Sequence, residues 1–258
     1  MVIGIDVFRE FFKDFSDSYL IIGGTACDII IEEAGFTPRA TDDIDMILII
    51  EALSPEFVKR FWEFIKTGNY TIRQIEEGKR NCYRFADPKE KSFPFQIELF
   101  SKVPDIIELD PDAHITPVPV EEGLSNLSAI LLNDDYYKFA LKQSTNKEGI
   151  HVANVEAIIC LKAFAYLDNT KRKNDGQDVK QRDIDKHKYD VFRMVFMLKP
   201  DDVFELPDDI KTDLQHFADT VKDDLPSADI FKINRFGTKD MNTIYQQLLA
   251  NFNLKIKE

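Results

Sequence analysis

The chain has 258 residues, 44% of them hydrophobic and 31% charged, with a formal net charge of −13; it can bury one large core or two small ones, and its acidity excludes broad, sequence-independent nucleic-acid binding, which depends on Lys and Arg neutralising phosphates. No apolar stretch reaches bilayer-spanning length, and Asp6, Arg9, Glu10, Lys13 and Asp14 interrupt the start where a signal peptide would be apolar, so a cytoplasmic protein with no membrane association is expected. Cys27, Cys82 and Cys160 are odd in number and widely spaced, which speaks against a disulfide framework or a Cys-x-x-Cys zinc site.

Val7, Phe8, Phe11, Phe12 and Phe15 recur at helical spacing, and Tyr19-Leu20-Ile21-Ile22 follows as a short strand. Gly23-Gly24 makes a turn, Thr25 is a candidate N-cap, and Ala26 to Ala34 continues as a helix that Gly35 ends. After a loop through Pro38-Arg39-Ala40 comes a strand from about Asp43 to Ile50. A helix from Pro55 to Lys66 then places Phe57, Phe61 and Phe64 on one stripe. Tyr70 to Ile75, Asn81 to Phe85 and Phe93 to Phe100 read as strands, the last with Phe95, Ile97 and Leu99 on one face and Gln96 and Glu98 on the other. Asp105 to Val120 is Pro/Asp-rich and loop-like, and Leu127 to Leu132 reads as the strand that closes a first domain, residues 1–132. Helical periodicity then appears at Asp134 to Gln143, Asn154 to Leu167, Tyr189 to Leu198, Asp208 to Lys222 and Met241 to Leu254, a second domain over 133–258. The expected class is α+β: a mixed β-sheet flanked by helices, followed by a helical C-terminal domain.

Asp43 and Asp45 open an otherwise apolar strand. Alternate strand residues share a face, so the two carboxylates stand about 6–7 Å apart along the strand, close enough to share a divalent cation. The strand-turn-helix at Gly23-Gly24 gathers free backbone N–H groups and a positive helix end at one point, which suits a triphosphate. Parallel strands joined by that helix would bring turn and carboxylates to one sheet edge. Glu98, on the polar face of its strand, is the candidate third metal ligand; three carboxylates would hold two magnesium ions. Lys162 is the only charge between Glu156 and Asp168, on a helix apolar nearly all round. It must snorkel, pair with a carboxylate or meet nucleotide phosphates. Lys171-Arg172-Lys173 with Lys180, Arg182, Lys186 and Lys188 forms a basic stretch, read as a solvated loop or as a surface for an RNA acceptor.

Leu20-Ile21-Ile22-Gly23-Gly24-Thr25-Ala26 followed by Pro38-Arg39-Ala40-Thr41-Asp42-Asp43-Ile44-Asp45 resembles the nucleotidyltransferase superfamily that includes DNA polymerase β, and within it the AbiEii/AbiGii-type toxin nucleotidyltransferases. Weaker matches are Ile97-Glu98-Leu99, Val155-Glu156 with Lys162, and Lys186-His187-x-x-Asp190-Val191, where His187 stands at a position often acidic in the family. The resemblance implies an α/β-type nucleotidyltransferase core, Mg2+ or Mn2+ as cofactor and a nucleoside triphosphate as donor. It places Asp43, Asp45 and Glu98 on the metal, Lys162 among the catalytic residues, and Gly23, Gly24, Thr25, Arg39 and Thr41 on the nucleotide. It also implies a fourth motif at Lys186, His187 and Asp190, and an antitoxin protein as partner. The expected reaction is nucleotidyl transfer to an RNA or protein acceptor. The alternatives are transfer to a small hydroxyl compound, as in aminoglycoside nucleotidyltransferases, and a non-catalytic nucleotide-binding module. No family pattern matches the last sixty or so residues.

Overall fold

The computed structural model of the protein describes residues 3–75, 82–100, 115–118, 133–237 and 239–255. Helix α1 (Ile5–Phe12) runs through a 3₁₀ stretch (Lys13–Ser18) into strand β1 (Tyr19–Ile22), every residue of which is buried. Helix α2 (Gly23–Glu33) begins at the very next residue, earlier than the sequence suggests, because the positive φ of Gly23 (69°) turns the chain out of the strand without a linker. Thr25 therefore lies inside the helix instead of capping it. Gly35, at φ 81°, follows the helix end as expected.

Strand β2 (Asp43–Leu48) leads to α3 (Pro55–Gly68), whose first turn is capped by Ser54 accepting from the Phe57 N–H at 3.1 Å. Strands β3 (Thr71–Ile75), β4 (Cys82–Ala86) and β5 (Gln96–Phe100) follow close to their expected positions. Part of the segment expected to be loop, Ile115–Val118, is strand β6, lying parallel to β3. Pro117 disguised it, but β6 is at the edge of the sheet, where a residue without an N–H is tolerated. The strand expected at Leu127 to Leu132 falls outside the described residues.

The α+β class holds: a mixed eight-stranded sheet in the order β6-β3-β4-β5-β2-β1-β8-β7 is covered by helices. Its last two strands, β7 (Ser144–Lys147) and β8 (Ile150–Ala153), fall in the gap between two expected helices of the domain expected to be helical. They form a hairpin whose two turn residues, Glu148 (φ 50°) and Gly149 (φ 82°), are both left-handed, as a two-residue turn of matching twist requires. Glu-Gly is a fainter signal of that turn than Asn-Gly, and a strand of Ser-Thr-Asn-Lys shows no apolar alternation. Because β8 pairs in parallel with β1, the sheet continues past residue 132 into the second half of the chain.

Strand register sorts the chemistry onto one face. Tyr19 packs on Phe8 and Phe12, and Phe85 on Phe61 and Trp62, so one side of the sheet carries the aromatic core under α1 and α3. Directly opposed residues share a face. Ile22 stands opposite Asp45, and Asp45 opposite Glu98, so Asp43, Asp45, Glu98 and Arg84 all point to the other side.

That side is covered by α2 and by the helices that follow α4 (Asp134–Lys142): the buried α5 (Val155–Asn174) and its partner α6 (Gln181–Met197). Both run further than their apolar periodicity indicates, α5 beyond Leu167 and α6 from before Tyr189. Lys171, Arg172 and Lys173 occupy the last turn of α5, where cations favour the helix end, and Gly176 at φ 87° reverses the chain. Much of the expected basic loop is thus helix. Helix α7 (Asp208–Val221) packs on α5, and α8 (Met241–Asn251) on α6. Between them, the segment around Asn234 clasps the loop after α2: the Thr37 N–H donates to the Asn234 carbonyl at 3.2 Å, the Asn234 side chain donates to the Thr37 carbonyl at 2.8 Å, and Phe36 meets the stacked pair Phe196 and Phe236 edge-on.

Candidate active site

Strands β1 and β2 are antiparallel, not parallel as expected. The loop after α2 carries the chain back along the helix, so β2 starts where β1 ends and the carboxylates still meet the glycine turn. The fit is close. A Cβ on Gly23 would lie 1.9 Å from Asp45 Oδ2, and one on Gly24 would lie 3.0 Å from Thr41 Cγ2. The Gly24 N–H donates to the Asp45 carboxylate. Asp28, buried in α2, fixes the far side of the loop by accepting from the Arg39 N–H at 3.2 Å and the Thr41 N–H at 2.7 Å. Sequence reasoning passed over Asp28, although a charge inside Cys27-Asp28-Ile29-Ile30 was a visible signal.

These residues form one wall of a cavity of about 220 Å³, with Gly23, Gly24, Thr41, Asp43, Asp45, Arg84 and Glu98 on the sheet side. The opposite wall comes from α5, through Ile158, Leu161 and Lys162, and from the start of α6, through Asp183, Lys186 and His187. Burial raises the carboxyls of Asp43 and Asp45 above the usual carboxylate range, and their mutual repulsion adds to the effect on Asp45. Burial, with Asp45 alongside, pushes Glu98 up to about 7.

Glu98 is not presented as a free ligand. Arg84, opposite it on β4, reaches Glu98 Oε1 through Nη2 at 2.8 Å and Nε at 3.0 Å, and Gln96 donates to the same oxygen at 2.8 Å. Among the described residues, no three acidic, histidine or cysteine side chains converge as a ready metal cage. Asp43 and Asp45 suit a hard divalent cation, which would relieve two desolvated, mutually repelling carboxylates. All three contacts fall on Oε1, so a third metal bond from Glu98 would use Oε2. Arg84 was missed in the sequence because an arginine in a short alternating strand reads as its solvent face.

Behind the helical wall lies a second charge cluster. Asp190, nearly inaccessible, is paired with Arg39 at 3.2 Å, Lys162 at 3.2 Å and Arg193 at 3.1 Å. Burial alone would raise its carboxyl, but Lys162, Arg39 and Arg193 together hold it down at about 2. Of the three expectations for Lys162, the structure shows pairing with a carboxylate, and the residue also lines the cavity. Burial works against its charge, yet Asp190 keeps it protonated. Two residues expected at the nucleotide are placed otherwise. Thr25 is fully buried and its hydroxyl donates to the Asp43 carbonyl, fastening α2 to β2; Arg39 turns to Asp190 and stays out of the cavity lining. Asp190 likewise stands behind the wall, whereas Lys186 and His187 of the same motif are on it. Burial and the nearby Lys162 depress the His187 imidazole to about 3, so it is neutral at ordinary pH.

No protein-family model and no curated protein matches the chain. Its structure is similar to the crystal structure of an antigenic nucleotidyltransferase-like protein from Paracoccidioides brasiliensis, at 12% sequence identity and a TM-score of 0.44, over 96% of this chain and 94% of that one.

Proposed function

We propose that the protein is a divalent-metal-dependent nucleotidyltransferase that takes a nucleoside triphosphate as donor. The observation that carries this reading is the juxtaposition of Asp43 and Asp45 with the Gly23-Gly24 turn across a cavity from Lys162 and Lys186. Asp43 and Asp45 would hold Mg2+ or Mn2+, which supplies Lewis-acid activation and charge neutralisation at the transferred phosphoryl group. The glycine turn leaves room for phosphate against the backbone, and Lys162 and Lys186 offset its charge. The acceptor hydroxyl oxygen bonds to the α-phosphorus, the bond to the bridging oxygen breaks, pyrophosphate departs with the electron pair, and the hydroxyl proton is released.

The acceptor we favour is RNA or protein, following the toxin-type family that the motifs resemble, and an antitoxin partner belongs to the same reading. Titration of the pure protein with each nucleoside triphosphate and Mn2+ or Mg2+, followed by mass spectrometry of extract components labelled from each donor, tests it. Metal-dependent binding and a labelled product are expected; absence of metal-dependent binding to any triphosphate removes the proposal. If RNA is the acceptor, its binding weakens steeply with salt and falls when Lys171, Arg172 and Lys173 are neutralised together. Salt-insensitive acceptor binding moves the assignment to a small-molecule acceptor. The Arg84–Glu98 pair favours a second reading, a nucleotide-binding module without turnover, which predicts that Glu98→Gln leaves ligand binding intact and that wild type labels nothing.

A further inference from the structure

Gly24 and Asp28 stand one helical turn apart on the same face of α2, and the loop from Thr37 to Thr41 runs over that face. Asp28 is fully buried, and its two carboxyl oxygens are divided between two backbone donors: Oδ1 takes the Arg39 N–H at 3.2 Å and Oδ2 the Thr41 N–H at 2.7 Å. Two N–H groups two residues apart converge on one acidic group when the residue between them is left-handed, and Ala40 lies at φ 63°. That conformation is unfavourable for alanine, and the Ala40 side chain is exposed, so burial of its methyl does not offset the strain. Such strain persists where surrounding contacts over-determine it, and it concentrates at ligand sites. Here Arg39 pairs with Asp190 and Thr37 with Asn234, which completes the grip on the loop. Its outcome is the placement of Thr41, whose side chain lines the cavity and rests on the Gly24 backbone: a Cβ there would lie 3.0 Å from Cγ2 and 3.1 Å from Oγ1.

We propose that Asp28 is a positioning residue for the triphosphate donor: it holds the Arg39–Thr41 turn in its strained form and so sets Thr41 at the Gly24 backbone, where the donor phosphates approach. The assignment rests on the nucleotidyltransferase reading and deepens it, because it puts the shape of this cavity wall under a residue that is not on the wall itself. Both carboxyl oxygens are needed. An asparagine at this position would turn an NH2 group toward one of the two backbone donors and release either Arg39 or Thr41.

The test measures binding of Mg2+ with ATP, GTP, CTP, UTP and inorganic tripolyphosphate to the full chain by calorimetry, well below each variant's Tm, so that a loss of stability alone leaves affinity unchanged. Ser54→Ala, which removes the cap of α3 on the other side of the sheet, is the control: its Tm falls and its affinity stays. Asp28→Asn is expected to weaken triphosphate and tripolyphosphate binding about 10- to 100-fold. In a Thr41→Ala background the same change is expected to cost less than about threefold more, since a residue acting through Thr41 has little left to position. Ala40 supplies a second route that leaves the buried carboxyl in place. Ala40→Val, a β-branched residue that resists positive φ, is expected to weaken binding about 10-fold, and Ala40→Asn, which tolerates it, to stay within about threefold of wild type. Wild-type affinity in Asp28→Asn, an equal loss from Asp28→Asn with and without the Thr41 side chain, or equal affinities in the two Ala40 variants, each overturns the assignment. Should Asp28→Asn fail to fold, the Ala40 pair decides alone. If wild type binds none of these ligands, the nucleotidyltransferase reading itself falls; binding that survives in wild type and in all of these variants sinks only the role of Asp28.

Discussion

Asp190 and Lys162 form one ion pair, yet the two partners are not equivalent. Replacing Asp190 with Asn leaves Arg39, Lys162 and Arg193 facing one another without their shared anion. Removing one member of a buried charge cluster in this way costs about 3–5 kcal/mol, which denaturant unfolding should register. Lys162→Met leaves Asp190 two guanidinium partners, so it should cost much less stability while lowering triphosphate affinity. Equal destabilisation by both would make Lys162 purely structural. The carboxylate pair behaves in the opposite sense: Asp45→Asn removes a desolvated charge and should raise the Tm of the metal-free protein by about 2–4 °C while abolishing its response to Mn2+. Protonation of Glu98 can be isolated by comparison with Glu98→Gln. Its folded-state value of about 7 lies above the ordinary 4.5, so the folded chain takes up its proton first. The stability it contributes is complete below pH 4.5 and lost as pH rises through 7. Wild type should therefore lose on the order of 3 kcal/mol relative to the Gln variant across that window; a flat difference would show that Arg84 holds Glu98 ionised throughout.

At the scale of elements, the glycine turn is stricter than its sequence suggests. Gly23 combines a left-handed φ with the Asp45 carboxylate in the place of a Cβ, whereas Gly24 meets only the adjustable side chain of Thr41. Gly23→Ala should unfold at lower temperature and bind metal poorly, and Gly24→Ala should do neither to the same degree; thermal unfolding with and without Mn2+ separates them. What could be read from the chain followed from strong periodicity. The Phe stripe of α3, the apolar β1 and the Asp-x-Asp entry to β2 each show one dominant pattern, and so the sheet centre and the carboxylate pair were legible. Elements held by tertiary context were not. β6 carries a proline, β7 is polar on both faces, and the ends of α5 and α6 are long charged turns with no apolar stripe. Arg84 and the Asn234 clasp, which escaped notice, act through partners distant in sequence. No local pattern announces such a contact. Conversely, Thr25 and Arg39 occupy motif positions but direct their polar atoms into the scaffold.

The molecule as a whole joins its two halves through the sheet, since β8, from beyond residue 132, pairs with β1. Residues 1–132 expressed alone would leave the fully buried β1 as an open edge, a template for association. That fragment should aggregate or remain unfolded, and the full chain should unfold in a single calorimetric transition; a soluble, folded fragment with its own transition would show the halves to be independent. The same long-range architecture sets an order in time. Thr37, which begins the loop carrying Thr41, is held by Asn234, 197 residues later in the chain. Translation at about 5–20 residues per second separates the emergence of those two positions by about 10–40 s. During that interval the glycine turn and the carboxylates are already synthesised, but the loop beside them lacks its clasp. The nascent chain therefore cannot hold a finished cavity wall at this loop until most of it has left the ribosome, which defers whatever the cavity binds to the later stages of synthesis.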